Sequence, residues 1–271
     1  QDWDIVGPLH PSVHLSGLLW NVGNLGDRRP MAAARFHHGL SEDVAVDFAT
    51  ALVLVGAVDN QDLDKGLDSS KRYSSTDRDG FDSGWPGLQV RAGVDAGAIK
   101  VGVWGMVAAL ETDARFPTSS PNGDNKFTSY CAGTDFHVAF TEQLSLRGEA
   151  FIGQALSDVR GGIGQSINTV VGDEIRTYGG WVELGFKASD LLGFVVGGAI
   201  DNPYDRDLTT DATADPPIDY RARNLTYFAA CTQHWGGGFK TGLEAMYWST
   251  KWVDEGLGTM IRVNAYTQLN F

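Results

Sequence analysis

Residues 258–271, GTMIRVNAYTQLNF, alternate with a period of two along their whole length. Counting back in twos from Phe271 gives Leu269, Thr267, Ala265, Val263 and Ile261, and between them lie Asn270, Gln268, Tyr266, Asn264, Arg262 and Met260. An extended chain points successive side chains to opposite faces. The stretch is therefore predicted to be a strand with one apolar face and one wet face, able to separate hydrocarbon from water.

The same rhythm recurs along the chain. Strands are predicted at 12–22, 31–38, 44–58, 88–95, 99–107, 130–140, 144–152, 178–187, 192–201, 220–235 and 239–248, in addition to the closing one. The parity of 220–235 is ambiguous, and MAAARFHH at 31–38 is weak. Connections alternate between short turns (40–43, 96–98, 141–143, 188–190, 236–238) and long polar loops (59–84, 111–125, 158–173, 202–219). About twelve strands result, an even number, with long loops on one side and short turns on the other, as a bacterial outer-membrane barrel requires.

Composition narrows the classes. No apolar run reaches the roughly 18 residues of a membrane helix, whereas a barrel strand needs only about 9–11 residues with every second one apolar. The 271 residues carry no break in composition and read as one domain, with 1–11 as a periplasmic lead-in. A net charge of -13 disfavours nucleic acid as a partner. Cys131 and Cys231 lie a hundred residues apart without metal-ligand spacing and are expected to be lone buried thiols. Gln1 is not an initiating Met, and the chain is expected to be a mature form whose signal peptide has been removed.

The closing segment resembles the C-terminal strand of Gram-negative outer-membrane β-barrels, in which a terminal Phe and alternating apolar residues form the assembly signal. The resemblance is to an architecture and to no particular family. It implies an all-β, antiparallel, up-and-down transmembrane barrel in the bacterial outer membrane, in contact with lipid and lipopolysaccharide. A water-soluble barrel or sandwich alternates too but turns its apolar face inward. The joined strands, the large charged residues on the polar face and the aromatics near strand ends, Tyr130, Phe140, Tyr178, Phe186, Phe239, Tyr247 and Phe271, favour the membrane version.

The polar positions give a candidate pore lining. They are Arg35, Asp47, Arg91, Asp95, Lys100, Asp135, His137, Arg147, Glu149, Glu183, Lys240, Glu244 and Arg262, with Lys187 on the same parity. The signs nearly balance, so opposite charges on neighbouring strands are expected to pair across the sheet. The excess acidity then sits in the loops, where Asp77, Asp79 and Asp82 carry a rhythm seen in some calcium loops, without the bidentate Glu of an EF-hand. Solvated loops are the plainer reading of these carboxylates; otherwise no cofactor is expected.

The expected function is a porin-like channel, not an enzyme, passing small polar or charged solutes passively with a mild cation preference from its acidic mouth. One alternative is a structural or assembly barrel whose lumen is blocked by salt bridges and by Trp104, Trp181 and Trp248, and which binds partner subunits or a surface polymer. The other is an outer-membrane hydrolase, for which the outer loops offer no histidine. Homo-oligomers are compatible with either barrel reading, and the absence of a helical plug segment makes an internal plug the less expected arrangement.

Overall fold

A computed structural model describes residues 2–14, 19–55, 84–111, 126–214 and 218–270. Its elements in chain order are β1 (Asp2–Trp3), β2 (Arg28–Arg29), β3 (Met31–Gly39), β4 (Ala45–Val53), β5 (Gly87–Ala96), β6 (Ile99–Glu111), β7 (Lys126–Ala139), β8 (Leu144–Gln154), β9 (Ile167–Asn168), β10 (Asp173–Glu174), β11 (Arg176–Lys187), β12 (Leu192–Pro203), β13 (Arg221–Gly236), β14 (Phe239–Trp252) and β15 (Leu257–Leu269). Short 3-10 turns lie at Ser157–Val159, Gly162–Gly164 and Asp205–Asp207.

Eleven strands form one antiparallel sheet in the order β3, β4, β5, β6, β7, β8, β11, β12, β13, β14, β15, each joined to the next by an up-and-down connection. The two-residue ladders β1–β2 and β9–β10 lie outside it. Because every neighbour is antiparallel, β3 and β15 at the two ends run in the same direction. An antiparallel seam between them therefore needs one more strand, and the described pairings place none there.

The expected twelfth strand, 12–22, is the main correction to the sequence reading. Residues 12–14 and 19–22 form turns and a single bridge rather than a ladder. Leu19 and Val22, of opposite strand parity, are both fully buried, and Val13 nearly so. Enclosure on all sides overrides a one-sided alternation. By contrast the weak 31–38 segment does form a strand, β3, at the edge of the sheet. The register also settles the parity left open at 220–235: Ala222, Asn224, Thr226 and Phe228 are buried, while Tyr227 is exposed.

One sheet face is open and apolar. Val101, Val103, Tyr130, Ile152, Val182, Val196, Leu243, Ile261 and Val263 are all exposed on it. The other face is covered by the chain's own N-terminal segment and by residues 155–168. Val6 and Leu25 pack with Trp104, Met106, Cys131, Phe151, Leu156 and Val159. Val13, Leu19 and Val22 pack with Trp181, Ala199, Phe228 and Met246. Ile5 packs on Ala51 and Val53. The apolar core of this protein thus lies between the sheet and a segment lying across it. Cys131 belongs to that core, while Cys231 is half-buried on the opposite parity, and both thiols are free.

Glycines let large side chains lie flat on the covered face. Trp104 lies over its cross-strand partner Gly133, where a Cβ would come within 2.3 Å of the indole. Tyr266 likewise covers Gly242. A bulky ring over a cross-strand glycine pins the register and restores the packing surface that the glycine lacks.

Candidate functional site

The register places all thirteen predicted lining residues on the covered face, the one that bears the N-terminal segment. Many are tied to one another. Arg91 reaches across Gly102 to Asp135 with two hydrogen bonds of 3.0 and 2.7 Å, and a Cβ at Gly102 would strike that carboxylate at 2.4 Å. Lys100 pairs with its cross-strand neighbour Asp95 at 2.5 Å, and Arg147 with its neighbour Glu183 at 2.5 Å. His37 contacts Asp47 at 2.7 Å, and Arg35 contacts Asp2 at 3.0 Å. His137 sits between Lys100 and Arg147 in register, while Arg262 lies exposed on β15.

The remaining acceptors hold main chain. Gln89 on β5 accepts the amide of Ile5 at 2.8 Å, and Glu149 on β8 accepts that of Leu9 at 2.6 Å. Glu183 on β11 accepts the amide of Ser12 at 2.9 Å, and Glu244 on β14 accepts that of His14 at 2.8 Å. Trp181 Nε1 also donates to Glu149, and Asn264 Nδ2 to Glu244, each at 3.1 Å. Arg147 donates to the carbonyl of His10 at 2.8 Å. Four side chains spread over the wall from β5 to β14 thus hold four amides of the stretch from Ile5 to His14.

From β11 to β14 is three strand spacings, about 14 Å along the sheet, whereas Ser12 to His14 spans at most about 7 Å of chain. Glu183 and Glu244 therefore both lean toward the segment to reach its amides.

A buried ionic cluster fixes the other end of the segment. Arg29, wholly buried, binds Asp4 at 2.8 Å and Asp158 at 2.6 Å, and its Nη1 and Nη2 donate to the carbonyls of Leu54 and Asp158. Gln89 Nε2 donates to Asp4 Oδ1 at 2.9 Å. Burial outweighs the pull of Arg29 and pushes the Asp4 carboxyl up to about 6. Arg160 joins Asp27 at 2.7 Å and stacks 4.5 Å over the ring of Trp20. Asp4, Gln89, Arg29 and Asp158 were not among the sequence candidates. The available signal was the run Leu18-Leu19-Trp20, apolar on both parities, beside a charged, glycine-containing stretch at 23–29.

The inward occupant is therefore a non-helical N-terminal segment, contrary to the expectation drawn from the lack of a helical plug. Asp77, Asp79 and Asp82 lie outside the described residues, and among the described residues no group of three or more metal-ligating side chains comes together. Trp104 and Trp181 are buried on the covered face, and Trp248 is partly buried against the cluster that holds Trp181. Cavities lie beside the segment among the described residues. One of about 570 Å³ lies at the short-turn end between β7 and β15, and one of about 520 Å³ lies between residues 2–8 and β3, β4 and β5.

No family model and no curated protein sequence matches the chain. Among solved structures it resembles the outer membrane channel DcaP of Acinetobacter baumannii, at 10% identity and a TM-score of 0.68, over 97% of this chain and 67% of that one. The CymD monoaromatic hydrocarbon channel aligns at 10% identity and TM-score 0.40, covering 91% of this chain and 78% of that one. A Pseudomonas aeruginosa FadL homologue aligns at 13% identity and TM-score 0.37, covering 88% and 65%. At these last two scores the likeness does not extend to the whole fold. The resemblance to outer-membrane β-barrels thus holds at the level of architecture: this chain has the fold of an outer-membrane channel wall.

Proposed function

We propose that this protein is an outer-membrane channel for small polar or charged solutes, held closed in this conformation by its own N-terminal segment. The observation that carries the reading is the two-sided wall. A continuous apolar face suits lipid and lipopolysaccharide, while the opposite, ion-paired face suits a polar interior. The likeness of fold to a known outer-membrane channel supports the same assignment. The segment lies across the covered face, where four of its main-chain amides donate hydrogen bonds to wall side chains, a mode of attachment independent of its side-chain identity. The acidic mouth expected from the outer-loop aspartates would give a mild preference for cations.

The second reading is a structural or assembly barrel with a permanently blocked lumen, binding partner subunits or further copies of itself. What favours it is the depth of the packing: Val6, Leu19, Val22 and Leu25 are almost wholly buried against the wall.

Conductance separates the two. In planar bilayers the full chain is expected to show brief or small openings, and the double variant Glu149→Ala, Glu183→Ala, which removes two of the four grips, longer and larger ones. Silence from both, with each protein folded and inserted, sinks the channel reading and leaves the blocked barrel.

A further inference from the structure

We propose that the 570 Å³ cavity at the short-turn end is a binding site for a small anion of the carboxylate or phosphate class. Its lining includes Lys187 and Lys240 together with His137 and His234, and the hydroxyls of Thr232 and Tyr266. Glu142 is the one carboxylate in the lining. This is a local excess of cationic and N–H donor groups in a chain whose net charge is -13.

The pairing of the wall explains why these donors are spare. The covered face spends its carboxylates elsewhere: Asp95 on Lys100, Asp135 on Arg91, Glu183 on Arg147 and Ser12, and Glu149 and Glu244 on the amides of the N-terminal segment. Lys240 stands directly opposite His234 across β13 and β14, and Lys240 has no ion pair among the described residues. His137 has a cation on each neighbouring strand, Lys100 and Arg147. Lys187 is held at the rim by the highly exposed Asp190 at 2.7 Å, an arrangement that water weakens and an incoming anion can share. An ammonium without a carboxylate partner is stabilised by an incoming oxyanion, which supplies several lone pairs to the ammonium and to the N–H and O–H groups beside it. Tyr266, stacked on His14 at 4.1 Å between ring centroids and sharing a 3.0 Å hydrogen bond with Thr232, fixes two hydroxyls beside the same space. The site abuts the N-terminal segment through Ser12, which also lines it, so an occupant would touch the closing element itself.

The site needs no conduction, and its test is a binding measurement. Inorganic phosphate is titrated onto the refolded full chain in detergent at low ionic strength, with binding read from 31P line broadening. The wild type is expected to bind at roughly millimolar Kd. The double variant His234→Gln, Lys240→Gln is expected to lose at least about tenfold in affinity, since it removes an ammonium and a ring donor. Lys126→Gln, on the opposite end of the wall, serves as the control that should bind like wild type. Circular dichroism and heat-modifiability establish that each variant is folded. Equal broadening in the wild type and in the folded double variant overturns the assignment, as does no broadening in the wild type. Broadening with no conductance would keep this site and sink the channel, while conductance without broadening would do the reverse.

Discussion

Ser12 gives Glu183 two hydrogen bonds at once, its amide to Oε2 at 2.9 Å and its hydroxyl to Oε1 at 2.7 Å. The same carboxylate takes Arg147 Nε, and it is almost wholly buried, so wall and segment share one charge. Glu183→Ala leaves Arg147 Nε and the Ser12 amide without their acceptor, costing about 2–4 kcal/mol of segment docking. Limited proteolysis of residues 1–29 in the folded protein should quicken accordingly, and single-channel open time should lengthen. Unchanged cleavage in the variant would mean that the packing of Val13, Leu19 and Val22 holds the segment unaided.

The Arg29 cluster predicts a larger effect with a different signature. Arg29→Met removes the only cation bound to Asp4 and Asp158 among the described residues and leaves two buried carboxyls, worth about 3–5 kcal/mol. Asp4 lies on the segment, outside the membrane-spanning strands, and its carboxyl is raised from 3.8 to about 6. A carboxyl raised on docking binds its proton more readily in the docked state. The contribution of Asp4 to docking is therefore fully present below about pH 4 and is lost as pH rises through about 6. Proteolysis of the segment should be slower at pH 5 than at pH 8, and Asp4→Asn should flatten that difference. A segment released more readily at pH 5 would contradict the assignment to Asp4.

Gly133 tests the packing of the wall. A methyl group there meets Trp104 Cη2 at 2.3 Å and the carbonyl of Ala150 at 2.7 Å, so both ring and backbone must move. Gly133→Ala should lower stability in detergent by about 1–3 kcal/mol, read as an earlier loss of heat-modifiable migration or a lower urea midpoint. Trp104→Ala combined with Gly133→Ala removes the ring clash and should recover part of the loss. No recovery would place the strain in the Ala150 contact instead.

Much of this was legible along the chain, and what was not has a physical cause. Alternation depends only on which face meets water, and strands such as β6 and β15, with one face exposed throughout, showed it plainly: Val101 and Val103 against Trp104 and Met106, and Ile261 and Val263 against Asn264. Charge pairs between adjacent strands, such as Arg147 with Glu183, followed from parity as well. Segment 12–22 misled because its partial alternation fitted a strand while the acceptors of its Ser12 and His14 amides were wall side chains 171 and 230 residues away. No local pattern encodes an acceptor waiting on a distant strand. Arg91 and Asp135 were both candidates, yet their pairing over Gly102 depends on a side chain that is missing between them, which periodicity does not register.

The decisive test of the apolar face is depth. Val103, 62% exposed near the middle of β6, and Ile99, 49% exposed at its short-turn end, point to the same side. If that side meets hydrocarbon, Val103→Arg should cost about 2–4 kcal/mol and Ile99→Arg only about 0–1 kcal/mol, because the charge at the strand end reaches the interface. If that side met water, both substitutions would be close to neutral, since arginine on an exposed strand position is well solvated and an exposed valine buries little there. Reversible unfolding from lipid vesicles gives the two values directly. A gradient from strand centre to strand end places the bilayer around the wall, and two equal, small effects would return the chain to the water-soluble class.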